Sequence, residues 1–304
     1  MKYVTVYHYD AFTLKPNKGN PAGLVLNGDE LNNNEMQEIA YKVGFNETAF
    51  LVRSDIADFR IRYFTPGQEM NLCGHATIAM MYALKTMNLL MKKKHVTIET
   101  RVGVLDIKVD SSEDNKVVIT MKQAAPQFEA FKGSKKDLAN AIGICEDDLE
   151  SNFPILYGST GAWTLLVPVN NLKAFKTMKP NNSLFPTILN ERSKASIHPF
   201  CFETYDSDVD MHARHFSSPF SGTIEDAVTG TASGIMGVYF ARYKQGTGRE
   251  SLKLIVEQGH EINKDGRVLV NVSPSECSYD VEIAGNAVYV NKFDVLLEDN
   301  EISN

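Results

Sequence analysis

Two periodicities alternate along the chain. Runs of alternating apolar and polar residues, or of clustered β-branched and aromatic residues, predict strands in the first half at 3–9, 24–26, 49–53, 59–64, 96–100, 104–109 and 117–121. The second half offers strands at 163–169, 200–204, 211–216, 252–257, 267–272 and 281–283, and a last one at 287–292 is expected to return to the first half. Apolar Met36, Ile39, Ala40 and Val43 predict a peripheral helix over 34–43 that Gly44 ends, and a second peripheral helix is expected over 135–142. Residues 75–84 (HATIAMMYAL) and 231–243 (TASGIMGVYFARY) are apolar on almost every side, the mark of helices buried all round. Each needs strands to wrap it. The expectation is therefore an α/β (α+β) chain of two pseudo-symmetric domains, each a curved, barrel-like sheet around one central helix.

The chain also resembles itself. Residues 58–65 (DFRIRYFT) align with 210–217 (DMHARHFS) at an offset of 152, and residues 69–77 (EMNLCGHAT) align with 225–233 (EDAVTGTAS) at an offset of 156. Two matches in one order at nearly one offset favour duplication over chance. A chain of 304 residues also exceeds the usual single-core size. Residues 123–128 (QAAPQF) break the strand pattern and are the candidate linker, which places the domains at 1–124 plus 286–304 and at 125–285.

Charge and composition narrow the function. A net charge of -7 argues against nucleic acid, whose phosphates call for clustered Lys and Arg. The one basic run, Lys92-Lys93-Lys94, reads as a solvated helix end. No apolar run has the roughly 18 to 20 residues a membrane span needs, and the N-terminus alternates like a strand rather than a signal peptide; the expected location is the cytoplasm. Cys73, Cys145, Cys201 and Cys277 are far apart with no CxxC pair, which fits reduced thiols.

A helix that starts inside a protein presents backbone N–H groups and a positive dipole end, which favour an anion. Two such starts are expected, at Cys73-Gly74-His75 and at Thr229-Gly230-Thr231, each with a glycine that allows close approach. If the halves face one cleft, a substrate carboxylate is the natural occupant; taken alone, either glycine is equally an ordinary turn residue. Glu47 shares a strand face with Phe45, Ala49 and Leu51. Apolar neighbours there would raise its pKa and suit it to proton exchange near neutrality, and a surface Glu at a strand start is the even alternative. His75 follows the first anion-receptive turn and can hold either charge state near pH 7, unless it is a capping or core histidine. Asp226 could accept a hydrogen bond from a substrate amine or simply cap the second helix. Cys73 invites comparison with two-thiol racemases, but its counterpart Thr229 cannot do a thiol's work, and a small buried cysteine at a helix start explains it as well. Zinc-protease, P-loop, nucleophile-elbow and dinucleotide motifs are absent.

Asp10-Ala11-Phe12-Thr13, Gly19-Asn20-Pro21-Ala22-Gly23, Phe45-Asn46-Glu47-Thr48-Ala49-Phe50, Phe64-Thr65-Pro66, Gly74-His75-Ala76-Thr77 and Glu225-Asp226-Ala227-Val228-Thr229-Gly230 together resemble the PhzF phenazine-biosynthesis-like family, in family order through most of the chain. The resemblance implies the diaminopimelate-epimerase-like fold, a site between the domains, a homodimer, and an isomerase with no metal and no cofactor. In the phenazine enzyme of that family a proton shifts within a dihydro-hydroxyanthranilate, which then tautomerises to a ketone. Carried over, Glu47 matches the general acid/base, His75 and Asp226 match polar residues that orient the substrate, and Gly74 and Gly230 match backbone donors, with Cys73, Thr229 and Thr231 beside them. Thr231 stands where the family often has serine, Ala227 where proline is frequent, and Asp265-Gly266-Arg267-Val268 departs from a common Gly-Arg-Pro-Ser pattern. These departures leave the substrate open. The expected partner is a small carboxylic acid, with no nucleic acid and no membrane. A racemase or epimerase using Glu47 with Cys73 or His75, and a non-catalytic scaffold that binds a small acid, are the competing readings.

Overall fold

The computed structural model describes residues 1–90, 92–111, 117–246, 250–276 and 278–298. It falls into two compact units, Met1–Met121 with the C-terminal residues from Gly285, and Lys122–Ala284. The first holds β1 (Lys2–Ala11), β2 (Asn20–Val25), α1 (Asn33–Val43), β3 (Glu47–Val52), β4 (Phe59–Phe64), β5 (Glu69–Met70), α2 (Gly74–Thr86), β6 (His95–Thr100), β7 (Gly103–Ser111) and β8 (Val117–Lys122). The second holds β9 (Gln127–Ala130), α3 (Lys135–Ile142), β10 (Leu156–Ser159), β11 (Trp163–Pro168), α4 (Leu172–Thr177), α5 (Phe185–Ile188), β12 (Ser196–Cys201), β13 (Met211–Ala213), β14 (His215–Phe216), β15 (Glu225–Asp226), α6 (Gly230–Tyr239), β16 (Leu252–Gln258), β17 (Gly266–Pro274) and β18 (Tyr279–Gly285). The last strand, β19 (Ala287–Leu297), pairs with β1 along its whole length and so belongs to the first unit.

Strand for strand, the two units repeat one topology. In the first, β19, β1 and β2 are antiparallel, β2 and β3 parallel, β3 and β4 antiparallel, β4 and β6 parallel, and β6, β7 and β8 antiparallel. In the second, β9, β10 and β11 are antiparallel, β11 and β12 parallel, β12 and β13 antiparallel, β13 and β16 parallel, and β16, β17 and β18 antiparallel. Parallel neighbours need a crossover, and helices fill those connections: α1 and α2 in one unit, α4 with α5 and then α6 in the other.

The aligned residues also make the same bonds. Arg62 grips Glu69 with Nε and Nη2 at 2.8 and 2.9 Å, and Arg214 grips Glu225 with the same two atoms at 2.9 and 2.6 Å. Asp58 accepts from the Thr97 amide at 2.9 Å as Asp210 accepts from that of Ile255 at 2.8 Å. Thr77 donates to the Cys73 carbonyl at 2.7 Å, as Ser233 does to that of Thr229 at 2.9 Å. Duplication is thus visible in the chemistry as well as in the sequence.

Helices α2 and α6 bury nearly every side chain, as their all-round apolar sequences require. The α1 helix instead seals one face of its sheet, placing Met36, Ile39 and Ala40 against Val4, Val6, Val25 and Phe50. Its start is fixed by reciprocal Asn32–Glu35 capping and its end by left-handed Gly44 at φ 70. No described helix is long and apolar enough to cross a membrane.

Several expectations need correction. The strand placed at 200–204 is β12, Ser196–Cys201, and the run at 211–216 splits into β13 and β14 at Arg214, whose amide donates to the Pro199 carbonyl opposite it and receives no bond in return. Proline lacks the N–H of a regular ladder and marks this break. Gln127 and Phe128, read as linker, begin β9, and β10 was not foreseen. Lys92-Lys93-Lys94 lies beyond the end of α2, leading into β6, where Lys93 pairs with Asp58 at 2.5 Å. Cys73 and Cys201 are buried and Cys145 is exposed, none of them in a disulfide; Cys277 lies outside the described residues.

The second unit also contains a buried charge network. Both ring nitrogens of His212 lie 3.1 Å from carboxylate oxygens, Nδ1 from Glu257 and Nε2 from Glu261. Ionised carboxylates only accept, so both nitrogens must donate and the ring is an imidazolium. Burial works against that charge, yet the two carboxylates outweigh it and raise the pKa of His212. His260 behaves likewise: burial lowers it, while Asp265 at 2.8 Å and Glu257 push it up to about 9. Burial would raise Glu257, Glu261 and Asp265, but their bonds to His212, His260 and Arg267 leave all three lowered. The histidine contribution to stability is complete below the unfolded value of about 6.5 and is lost as pH rises through the folded values. The carboxylate contribution is present above their unfolded range of about 4 and is lost as pH falls below it. Melting temperature should therefore peak between about pH 5 and 7 and decline towards pH 9. His212→Gln should flatten the alkaline decline in a calorimetric pH series.

Candidate active site

In the first unit three of the expected residues converge. Cys73 is the extended residue before α2, with φ -138 and ψ 118, and its side chain does not cap the helix. The sulfur turns instead towards His75, lying 3.4 Å from Nδ1 and 3.9 Å from Nε2. Glu47 opens β3 on the same strand face as fully buried Ala49, and its Oε2 is 3.3 Å from His75 Nε2. Sequence reasoning gave no role to the fourth member. Asn20, at the start of β2, brings its side-chain amide to 3.2 Å from His75 Nδ1. With that amide donating to Nδ1, the neutral ring carries its proton on Nε2, the nitrogen that faces Glu47. His75 thus links a fully buried amide to a carboxyl group whose side chain is 18% exposed.

The tight turn before Asn20 explains the Gly-Asn-Pro motif. Gly19 sits at φ +66, and a Cβ there would lie 2.2 Å from the Ala11 carbonyl oxygen. Gly19→Ala should cost roughly 1–3 kcal/mol in denaturant unfolding and pull Asn20 away from His75. A variant as stable as the parent would show that the turn tolerates a side chain.

The expected residues of the second unit form a cluster of their own. Thr229 precedes α6 in extended conformation, as Cys73 precedes α2, and its hydroxyl donates to Asp226 Oδ2 at 2.5 Å. Gln258 of β16, unassigned by sequence, accepts from the Thr229 amide at 3.2 Å and donates to the Asp226 carbonyl at 2.8 Å. Gly230 is buried, and the Thr231 carbonyl accepts from Thr160 at 3.0 Å. Opposite Asp226 in the β14–β15 ladder stands His215, whose Nδ1 is 3.1 Å from that of buried His198. Burial drives His198 well down, and it lowers His215 despite the nearby charge of Asp226. Two neutral rings therefore share one proton between these nitrogens.

Strand register shows what the second unit lacks. Thr48 is opposite Phe64 in the first unit and Ile197 is opposite Phe216 in the second, so Ser196 holds the place of Glu47. By the sequence repeat, Thr229 holds the place of Cys73 and Thr231 that of His75. A carboxyl, a thiol and an imidazole in one half have become three hydroxyls in the other.

Comparison with known proteins agrees with the fold. The chain is 50% identical over 289 residues to an uncharacterized isomerase of Bacillus subtilis, covering 95% of this chain and 97% of the relative. It is 27% identical over 300 residues to the trans-2,3-dihydro-3-hydroxyanthranilate isomerase of Pseudomonas chlororaphis, covering 96% and 100%. A crystal structure of a Bacillus anthracis phenazine biosynthesis protein of the PhzF family matches with TM-score 0.95 and 55% identity, over 98% of this chain and 100% of that one. The hydroxyproline epimerase of Agrobacterium vitis matches with TM-score 0.61 and 12% identity, over 98% and 94%, a likeness of fold. The family model described as phenazine biosynthesis-like protein matches residues 9–292, and the chain belongs to this PhzF family of isomerases.

Proposed function

We propose that this protein is a cofactor-independent isomerase that moves a proton between carbons of a small carboxylic acid, with Glu47 as the acid/base. The carrying observation is that Glu47 has no carboxylate counterpart in the second unit, where Ser196 stands in its place. One carboxyl group that both removes and returns a proton suits a shift within a molecule, whereas inversion at one carbon calls for a base on each face. The Glu47 carboxylate takes a proton from carbon, the electron pair left behind forms a new double bond to the neighbouring carbon as the old π pair shifts outward, and the same carboxyl group returns the proton to the carbon that receives that pair. In the substrate complex His75, held by Asn20, would turn its Nε2 proton to Glu47 and fix the direction of its lone pairs.

In this reading Asp226 accepts from a substrate amine or hydroxyl, Gly74 and Gly230 offer backbone N–H groups to its carboxylate, and Cys73, Thr229 and Thr231 complete the lining. The curated Pseudomonas relative acts on trans-2,3-dihydro-3-hydroxyanthranilate, so unsaturated or amino-substituted cyclic acids are the substrate class to try first. A homodimer that meets a free small acid in the cytoplasm completes the proposal. The test is turnover of such acids by chelator-treated protein, followed by absorbance and polarimetry. A shifted double bond without metal supports the reading. Inversion at a single carbon, or activity that returns only with added metal, would replace it.

A further inference from the structure

We propose that Glu47, Cys73 and His75 also form a binding site for one zinc-type divalent cation, with the Cys73 thiolate, His75 Nε2 and a Glu47 oxygen as its protein ligands. The donor atoms of these three residues all lie within 4.8 Å of one another. Two of the separations are set by contacts already described, 3.9 Å from Cys73 Sγ to His75 Nε2 and 3.3 Å from that nitrogen to Glu47 Oε2. A tetrahedral ion with bonds of about 2.0–2.3 Å holds its ligands roughly 3.4–3.7 Å apart. Those two separations are within a few tenths of an ångström of that spacing, and the third, between the sulfur and the Glu47 carboxylate, closes with a side-chain movement of up to about one ångström.

The donor types select the metal. A thiolate, an imidazole and one carboxylate suit zinc, whereas magnesium and calcium favour an all-oxygen shell. Cys73 and His75 are both 7% exposed, so the ion would be partly screened from water. A metal-bound imidazole would carry its proton on Nδ1, so the Asn20 side-chain amide, which brings its NH2 to that nitrogen in the free site, would turn over and present Oδ1 as the outer acceptor. The proton count is simple. The thiol proton leaves to solvent, the neutral His75 ring moves its proton from Nε2 to Nδ1, and no electron changes hands. Ser196, Thr229 and Thr231 replace the three ligands in the second unit, so the stoichiometry is one ion per chain.

An ion here would occupy the lone pairs through which Glu47 and His75 handle protons, and would reversibly inhibit the enzyme. That consequence rests on the isomerase reading, while the binding itself does not. The deciding experiment titrates reduced, metal-free, full-length protein with zinc against a chromophoric chelator of micromolar affinity. Expected are one equivalent bound, at least tenfold weaker binding in each of Cys73→Ser and His75→Asn with unchanged circular dichroism, and no change in Cys145→Ser. X-ray absorption at the zinc edge should show one sulfur among nitrogen and oxygen neighbours. No saturable binding, binding undiminished in Cys73→Ser and His75→Asn, or a zinc shell without sulfur would overturn the site. Loss of turnover at one equivalent, restored by chelator, is a separate readout that bears on Glu47 as proton carrier.

Discussion

Glu47→Gln is expected to fold as the parent does and to lose turnover by roughly 10²–10⁴-fold, the span attributed to a positioned acid or base. The amide matches the carboxyl group in shape, its oxygen can still face His75 Nε2, and at 18% side-chain exposure the position opens no cavity. What the amide cannot do is carry a proton away from carbon. His75→Asn should cost less, because Glu47 keeps its basicity and loses only its orienting partner. A Glu47→Gln protein within tenfold of the parent would remove Glu47 from the chemistry.

The largest stability effect is expected from Arg214→Met. The guanidinium is 7% exposed, binds both oxygens of Glu225, itself 9% exposed, and donates to the Phe175 and Met178 carbonyls at 2.9 and 3.2 Å. Methionine fills much of the space but leaves a buried carboxylate without its cation and two carbonyls without their donor. Breaking one side of such a pair typically costs about 3–5 kcal/mol. Adding Glu225→Gln should recover part of that loss, since the uncompensated charge goes with it. The equivalent Arg62→Met should be milder: Arg62 and Glu69 are 16% and 14% exposed, and Arg101 at 3.4 Å remains to face Glu69. Equal losses in thermal unfolding of the two variants would refute this ranking.

Much of this architecture was legible in local pattern. The buried helices α2 and α6 announced themselves by apolar residues on every side, and α1 by its spacing and its closing Gly44. The repeat was readable because its anchors are chemically demanding. An arginine that must grip a carboxylate and an aspartate that must accept a backbone amide tolerate few substitutes, so Asp58, Arg62 and Glu69 have recognisable partners in Asp210, Arg214 and Glu225.

Strands held by distant partners were the ones misread. β12 carries Ser196, His198 and Pro199, which lower its strand signal, and it is placed by parallel pairing with β11 across an intervening helical stretch. β9 and β10 have four residues each and are held by their neighbours, β9 by β10 and β10 by β9 and β11.

The site divides along the same line. Glu47, Cys73 and His75 stood out by residue type and motif, and the structure brings them together. Asn20, Gln258 and the His198–His215 pair did not, because their roles depend on which strands lie side by side. Asn20 alone left a trace, in a Gly-Asn-Pro run whose first residue must adopt positive φ.

Solvent exchange tests the central claim most directly. Protein in D2O would be incubated with unsaturated and amino-substituted carboxylic acids, including trans-2,3-dihydro-3-hydroxyanthranilate, and deuterium uptake followed by mass spectrometry beside Glu47→Gln. The account predicts that at least one acid gains carbon-bound deuterium with the parent and none with the variant. Uptake that survives in Glu47→Gln, or clear binding of an acid with no uptake in either protein, would contradict it.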